Sequence, residues 1–100
     1  MTNTAMPEPE RHGKTDLYRL RRTFINDDVN IQVAVNWDSG EFQGIELDGQ
    51  PLLGSEFTVR YEDPCNVFTR DTSLGDDACS IVVRINAATG ALVDVDLLAA

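Results

Sequence analysis

In Val29-Asn30-Ile31-Gln32-Val33-Ala34-Val35-Asn36-Trp37, large apolar side chains alternate with smaller or polar ones. An extended strand with this sequence places all the large side chains on one face. A strand with one apolar and one polar face is typical of an antiparallel sheet, which packs on one side and meets water on the other. We therefore predict a mainly β protein.

Turn signals after this strand extend the pattern into hairpins. Asp38-Ser39-Gly40 ends the strand, segment 42–47 returns, and Asp48-Gly49 is a strong signal for a two-residue hairpin turn. Near the end of the chain, segments 81–85 and 92–97 flank a second turn that contains glycine. In that hairpin we expect one apolar face made of Ile81, Val83, Ile85, Val93, Val95 and Leu97.

Segment 16–25 fits two periodicities. Leu17, Leu20 and Phe24 suit one face of a helix, whereas Tyr18, Leu20 and Phe24 suit one face of a strand. We prefer the strand, because the turn cluster Asn26-Asp27-Asp28 then joins it to the next strand in a hairpin.

The fold class that follows is a small antiparallel sandwich or partly open barrel of about six strands. We predict a flexible tail over 1–14, a single β domain over 15–100, and one long irregular loop over 62–80. No internal repeat is evident from the residues.

Cys65 and Cys79 stand at the two ends of the predicted loop. Three interpretations compete for them: two buried free thiols, a disulfide, or part of a metal site. A disulfide would close a loop of fifteen residues and would stabilise the fold by about 3 kcal/mol through its effect on the unfolded chain. A metal site is disfavoured, since two thiols and a distant histidine do not make a four-ligand zinc site.

Charge is distributed unevenly along the chain. Residues 11–22 carry a net charge of plus four, whereas residues 23–100 carry fourteen acidic side chains and three basic ones. The whole chain has a net charge of −9. Because binding to phosphate groups needs Lys and Arg, we expect no direct contact with nucleic acid or with an anionic membrane. A basic protein partner is compatible with this charge.

The residues do not assemble a recognisable catalytic motif. The single histidine, His12, falls in the predicted tail, which disfavours a Ser-His-Asp or Cys-His arrangement. Segment 71–76 lacks the alternating acidic ligands of a calcium-binding loop, and no phosphate-binding glycine motif occurs. We therefore expect no enzyme activity, no metal and no cofactor. The absence of a signal-like start favours the cytoplasm.

The function that fits these features is a non-enzymatic acidic binding module, an inhibitor or immunity-type protein that engages a basic, nucleic-acid-binding protein surface. We expect its contact residues in the long loop and on the outer face of the last hairpin: Asp63, Phe68, Asp71, Asp76, Asp77, Asp94 and Asp96. The alternative is a β protein that binds a small ligand or a divalent metal through the 62–80 loop, with or without enzyme activity. An exposed edge strand at 51–53 or 92–97 could also pair across a homodimer.

Overall fold

The computed structural model of the protein describes residues 7–99, which form nine β-strands and one short 3-10 turn. The strands are Glu10–His12 (β1), Thr15–Phe24 (β2), Asp27–Asn36 (β3), Glu41–Leu47 (β4), Gln50–Leu53 (β5), Thr58–Glu62 (β6), Cys65–Leu74 (β7), Asp77–Asn86 (β8) and Leu92–Ala99 (β9). The 3-10 turn, Gly54–Glu56, joins β5 to β6.

The strands build two antiparallel sheets, and the core lies between them. One sheet has the order β1-β2-β3-β4-β5, and the other has the order β6-β7-β8-β9. Strand β2 lies against β9, while Phe42 of β4 contacts Phe68 of β7, with 5.0 Å between the ring centroids. The predicted mainly β, two-layer antiparallel architecture is confirmed.

The alternation in β3 behaves as predicted. Val29, Ile31, Val33 and Val35 are all buried in the core. Segment 16–25 falls largely in strand β2, as preferred over the helix, and its turn lies at Ile25-Asn26. On β2, Tyr18, Leu20 and Phe24 face the same core, and Arg22 holds the position between Leu20 and Phe24 on that face.

The prediction of a long irregular loop over 62–80 is wrong. This segment contains all of β7 and the start of β8, which pair in register from Cys65–Asn86 to Leu74–Asp77 around a two-residue turn. The sequence of β7 does not show the expected alternation of apolar and polar residues. Arg70 and Thr72 occupy its inward positions, where a half-buried strand usually carries apolar groups.

The disulfide interpretation is also corrected, because both cysteines are free and buried. Cys79 pairs with Thr72 in the β7–β8 ladder, seven residues along β7 from Cys65. At 3.3 Å per residue this separates the two cysteines by roughly 23 Å, far beyond the reach of a disulfide. They also lie on opposite faces of the sheet: Cys79 belongs to the main core, whereas Cys65 clusters with Val67 and Val82 on the outer face.

Three further strands exceed the six expected: β1 falls in the predicted tail, β7 falls in the predicted loop, and β5 adds an edge strand. Glu10–His12 forms β1, which pairs with the start of β2, so the expected flexibility of 1–14 does not hold there. Residues 1–6 of that tail lie outside the described residues. Segments 50–53 and 58–62 form β5 and β6, two short edge strands.

The two sheets contain equivalent halves, a feature that the sequence did not reveal. Each bound of β7 and β8 lies fifty residues after the corresponding bound of β2 and β3. The repeat is hard to recognise from the sequence because few residues are identical at this spacing. The apolar alternation that the halves share is also found in any half-buried strand. The identical residues between 15 and 47 and their counterparts are Asp27/Asp77, Ile31/Ile81, Val33/Val83, Asn36/Asn86, Gly40/Gly90 and Leu47/Leu97.

The turns after β3 and β8 repeat the same hydrogen bonds. The Asn36 side-chain oxygen accepts from the backbone N–H groups two and three residues later, at 2.9 and 3.1 Å, and Asn86 does the same at 2.8 and 3.0 Å. Gly40 and Gly90 close these turns with φ angles of 76° and 74°, a conformation that favours glycine. A Cβ built on Gly90 would lie 3.5 Å from the Gly40 Cα, so the two turns meet.

A β-bulge also recurs fifty residues apart, after Ala34 in the first sheet and after Arg84 in the second. The bulge corrects one detail of the predicted last hairpin. Because it inserts one extra residue, Leu92 instead of Val93 is buried opposite Ile85, and Val93 is 45% exposed.

Candidate protein-binding surface

Almost every positive charge of the protein is neutralised within the molecule. Of the eight Lys and Arg side chains, seven form ion pairs among residues 7–99, and Arg21 instead donates to the Asn30 side chain at 3.3 Å. The pairs are Arg11–Asp16, Lys14–Asp38, Arg19–Glu10, Arg22–Asp94, Arg60–Glu62, Arg70–Glu56 and Arg84–Asp96. The basic segment 11–22 is therefore largely neutralised by carboxylates.

The remaining carboxylates outnumber the remaining cations. Of the seventeen Asp and Glu side chains, seven take part in these pairs and ten do not. Four of the ten surround one open depression: Asp27, Asp48, Asp76 and Asp77, which we call the acidic end.

The topology explains why the acidic end forms. The turns β2–β3 and β4–β5 lie at the same end of the five-stranded sheet, because strand direction alternates along its antiparallel order. The β7–β8 turn of the other sheet lies beside them. Aspartate is favoured in such turns for backbone reasons. Asp48, for example, has a φ of 49° and accepts a hydrogen bond from the Asn30 backbone N–H at 2.9 Å.

The structure separates the predicted contact residues. Asp76 and Asp77 belong to the acidic end, whereas Asp94 and Asp96 are held by Arg22 and Arg84, each at 3.3 Å. Of the two predicted contact areas, the loop therefore contributes Asp76 and Asp77 as unpaired carboxylates, whereas the two aspartates of the last hairpin are neutralised.

The other predicted contact residues have partners of their own. Asp63 accepts a hydrogen bond from the Tyr61 hydroxyl at 2.7 Å, and Asp71 accepts one from Ser80 at 2.6 Å. Phe68 is half-buried and packs against the main core instead of standing free for a partner.

The sequence missed Asp27 and Asp48 as members of an acidic site. Each stands in a local turn whose chemistry accounts for an aspartate. Only the strand order brings these turns beside Asp76 and Asp77, and no short-range pattern carries that order.

A second concave surface lies on the outer face of the five-stranded sheet. It has an apolar part beside Pro51 and Leu53, and it continues past Gln32 and Glu46 to the turn at Gly49. We call it the sheet groove and define it by Leu17, Gln32, Ala34, Glu46, Pro51 and Leu53. Leu53 is 62% exposed.

The one buried charged side chain among the described residues is structural. Asp16 is 3% exposed and accepts hydrogen bonds from Arg11 Nε and Nη2 at 2.9 and 3.1 Å. The Arg11 guanidinium also lies 4.5 Å from the centre of the Trp37 ring, and the Trp37 indole donates to the Gly13 carbonyl at 3.0 Å. Trp37 therefore packs against Arg11 beyond the end of β3 and is half-buried, instead of joining the core face of that strand as predicted.

Groups suited to nucleophilic or metal chemistry are dispersed. Burial raises the pKa of the Cys79 thiol, which keeps it protonated and unreactive, and His12 lies at an exposed edge strand beside Glu10. Within residues 7–99, no group of three or more His, Cys, Asp or Glu side chains is arranged to hold a metal ion.

Comparison of the chain with protein-family models, curated proteins and solved structures finds no match. Over the described part of the chain, no helix has the length and apolar character to cross a membrane.

Proposed function

We propose that this protein is a non-enzymatic binding module, of the inhibitor or immunity type, that engages a basic surface of another protein. The observation that carries the proposal is the imbalance among free charges: within residues 7–99, ten carboxylates stand outside ion pairs, against one arginine. A surface of one sign attracts a partner of the opposite sign and speeds their association.

The acidic end is the part of this surface best suited to a first encounter. Its four aspartates lie within one concave region, where neighbouring like charges reinforce one another's field. One of them, Asp48, is already held by the Asn30 backbone N–H at 2.9 Å, so this carboxylate needs little ordering on binding.

The test compares two charge variants of equal size. The acidic-end variant carries Asp27→Asn, Asp48→Asn, Asp76→Asn and Asp77→Asn. The control variant carries Glu8→Gln, Glu41→Gln, Asp63→Asn and Asp71→Asn, four other carboxylates outside ion pairs. Each variant loses the same negative charge, so a difference between them reports location.

Each protein is immobilised and exposed to a lysate of the source cells, and bound proteins are eluted with increasing salt and identified. We expect the wild type and the control variant to capture the same basic protein, and the acidic-end variant to release it at lower salt. Capture of no basic protein, together with a rise in melting temperature on adding Ca²⁺ or Mg²⁺, would contradict the proposal and favour a ligand-binding role.

A further inference from the structure

The two halves of the protein differ sharply on their outer faces. In the four-stranded sheet, Val67 and Val82 point outward and yet are only 0% and 9% exposed. Arg84 stands directly opposite Val67 in the strand ladder, and its guanidinium pairs with Asp96 at 3.3 Å. The stem of this arginine thus shields the apolar outer face while its charged head meets a carboxylate.

The five-stranded sheet has the same framework without the arginine. Fifty residues earlier in the chain, Leu17, Ala34 and Glu46 occupy the positions of Val67, Arg84 and Asp96. Glu46 forms no ion pair and no side-chain hydrogen bond among the described residues, and the position of the arginine stem is open groove.

Strand β5, which pairs with β4 on the side away from β3, makes this open position deeper. Pro51 and Leu53 form a wall beyond β4, and the floor near Gly44 is bare backbone. A Cβ on Gly44 would come within 2.8 Å of the Leu52 carbonyl oxygen. The glycine therefore lets β4 and β5 approach closely at the floor of the groove.

We infer that the sheet groove binds an arginine side chain of a basic protein partner, with the stem over Leu17 and Ala34 and the guanidinium on Glu46. This inference rests on the proposed function and names the group that is recognised. Arginine fits better than lysine, because its planar head pairs with a carboxylate through two hydrogen bonds and its stem covers apolar surface. Gln32 pairs with Arg19 on one neighbouring strand and with Glu46 on the other. Arg19 forms its ion pair with Glu10 and therefore leaves Glu46 unpaired.

The experiment is an NMR titration of the ¹⁵N-labelled protein with the peptide acetyl-Gly-Gly-Arg-Gly-Gly-amide. Its control is the same peptide with citrulline, which keeps the shape of arginine and lacks the charge. We expect saturable shifts of the Ala34, Gly44, Glu46 and Leu53 amides with the arginine peptide, and much smaller ones with citrulline.

Variants of the protein locate the contact. Glu46→Gln should weaken binding by roughly threefold to tenfold, whereas Glu41→Gln, the same change on the same strand, should not. Ala34→Arg copies Arg84 of the other half and should block the groove from within, abolishing the shifts while raising the melting temperature. If Ala34→Arg does not fold, the Glu46→Gln and Glu41→Gln pair still decides the question.

Different results would overturn the arginine-binding groove and the proposed function. If the arginine peptide shifts only amides of the acidic end, or if Glu46→Gln binds like the wild type, the groove inference is overturned while the proposed function stands. If the groove responds as expected but no basic protein is captured from the lysate, the proposed function fails as stated.

Discussion

Ile25 and Gly75 occupy the same place in two equivalent hairpin turns, with φ angles of 59° and 62°. A β-branched residue is strained at positive φ, whereas glycine is not. Ile25 is 52% exposed, so replacing it removes little buried surface. We predict that Ile25→Gly raises the free energy of unfolding by about 1 kcal/mol, measured by urea denaturation.

The reciprocal change is the control. Gly75→Ile places the strained residue in the other turn and should lower the free energy of unfolding. Equal effects of the same sign from both substitutions would show that the two turns are not equivalent.

Cys79 makes the free energy of unfolding decrease at alkaline pH. Burial raises the pKa of its thiol in the folded state, whereas the thiol of the unfolded chain ionises near its ordinary pKa of about 8.5. The folded state therefore holds the proton more tightly, and this contribution is present below that pH and is lost as the pH rises above it.

Cys79→Val tests this dependence, because Val29 fills the equivalent buried position in the other half. We expect the melting temperature of Cys79→Val, relative to wild type, to increase between about pH 7 and about pH 10. A difference that stays constant over this range would contradict the role of the thiol.

At the scale of the strands, the hairpin β7–β8 determines the state of the cysteines. Because the pairing holds Cys65 and Cys79 far apart on opposite faces, both should remain thiols even without reductant. We predict that denaturation in iodoacetamide without reductant adds two alkyl groups by intact-mass analysis. A mass two daltons lower with no alkylation would show a disulfide and would require a different register.

Strands with clean alternation were predictable from the sequence, and strands with polar inward residues were not. The apolar series of β3 and the Asp48-Gly49 turn were sufficient to place the centre of the first sheet. Strand β7 was not predicted, because Arg70 faces inward where an apolar residue is expected. Arg70 pairs there with Glu56, a contact between distant segments that no local sequence pattern contains.

The candidate sites were less predictable than the strands, because their residues come together only through long-range packing. Asp76 and Asp77 were predicted as contacts, but their neighbours Asp27 and Asp48 come from other turns. The groove beside Glu46 is recognisable only when Ala34 is compared with Arg84, and that comparison needs the strand register.

For the whole molecule, the unpaired carboxylates should make stability depend on salt. Like charges at the acidic end repel one another, and salt screens this repulsion. We predict that raising sodium chloride from roughly 20 to roughly 500 mM raises the melting temperature of the wild type. The acidic-end variant should gain less than the control variant; equal gains would show that repulsion is spread over the whole surface.

The whole molecule consists of two equivalent halves packed against each other, and the arginine site is inferred from comparing them. The most direct measurement is the nuclear Overhauser effect between the α-protons of Gly40 and Gly90, which lie where the two equivalent turns meet. The structure predicts a strong cross-peak between these residues, which are fifty positions apart. Its absence, in a spectrum that shows the β2–β3 and β7–β8 pairings, would contradict the meeting of the two equivalent turns and the packing of the two halves.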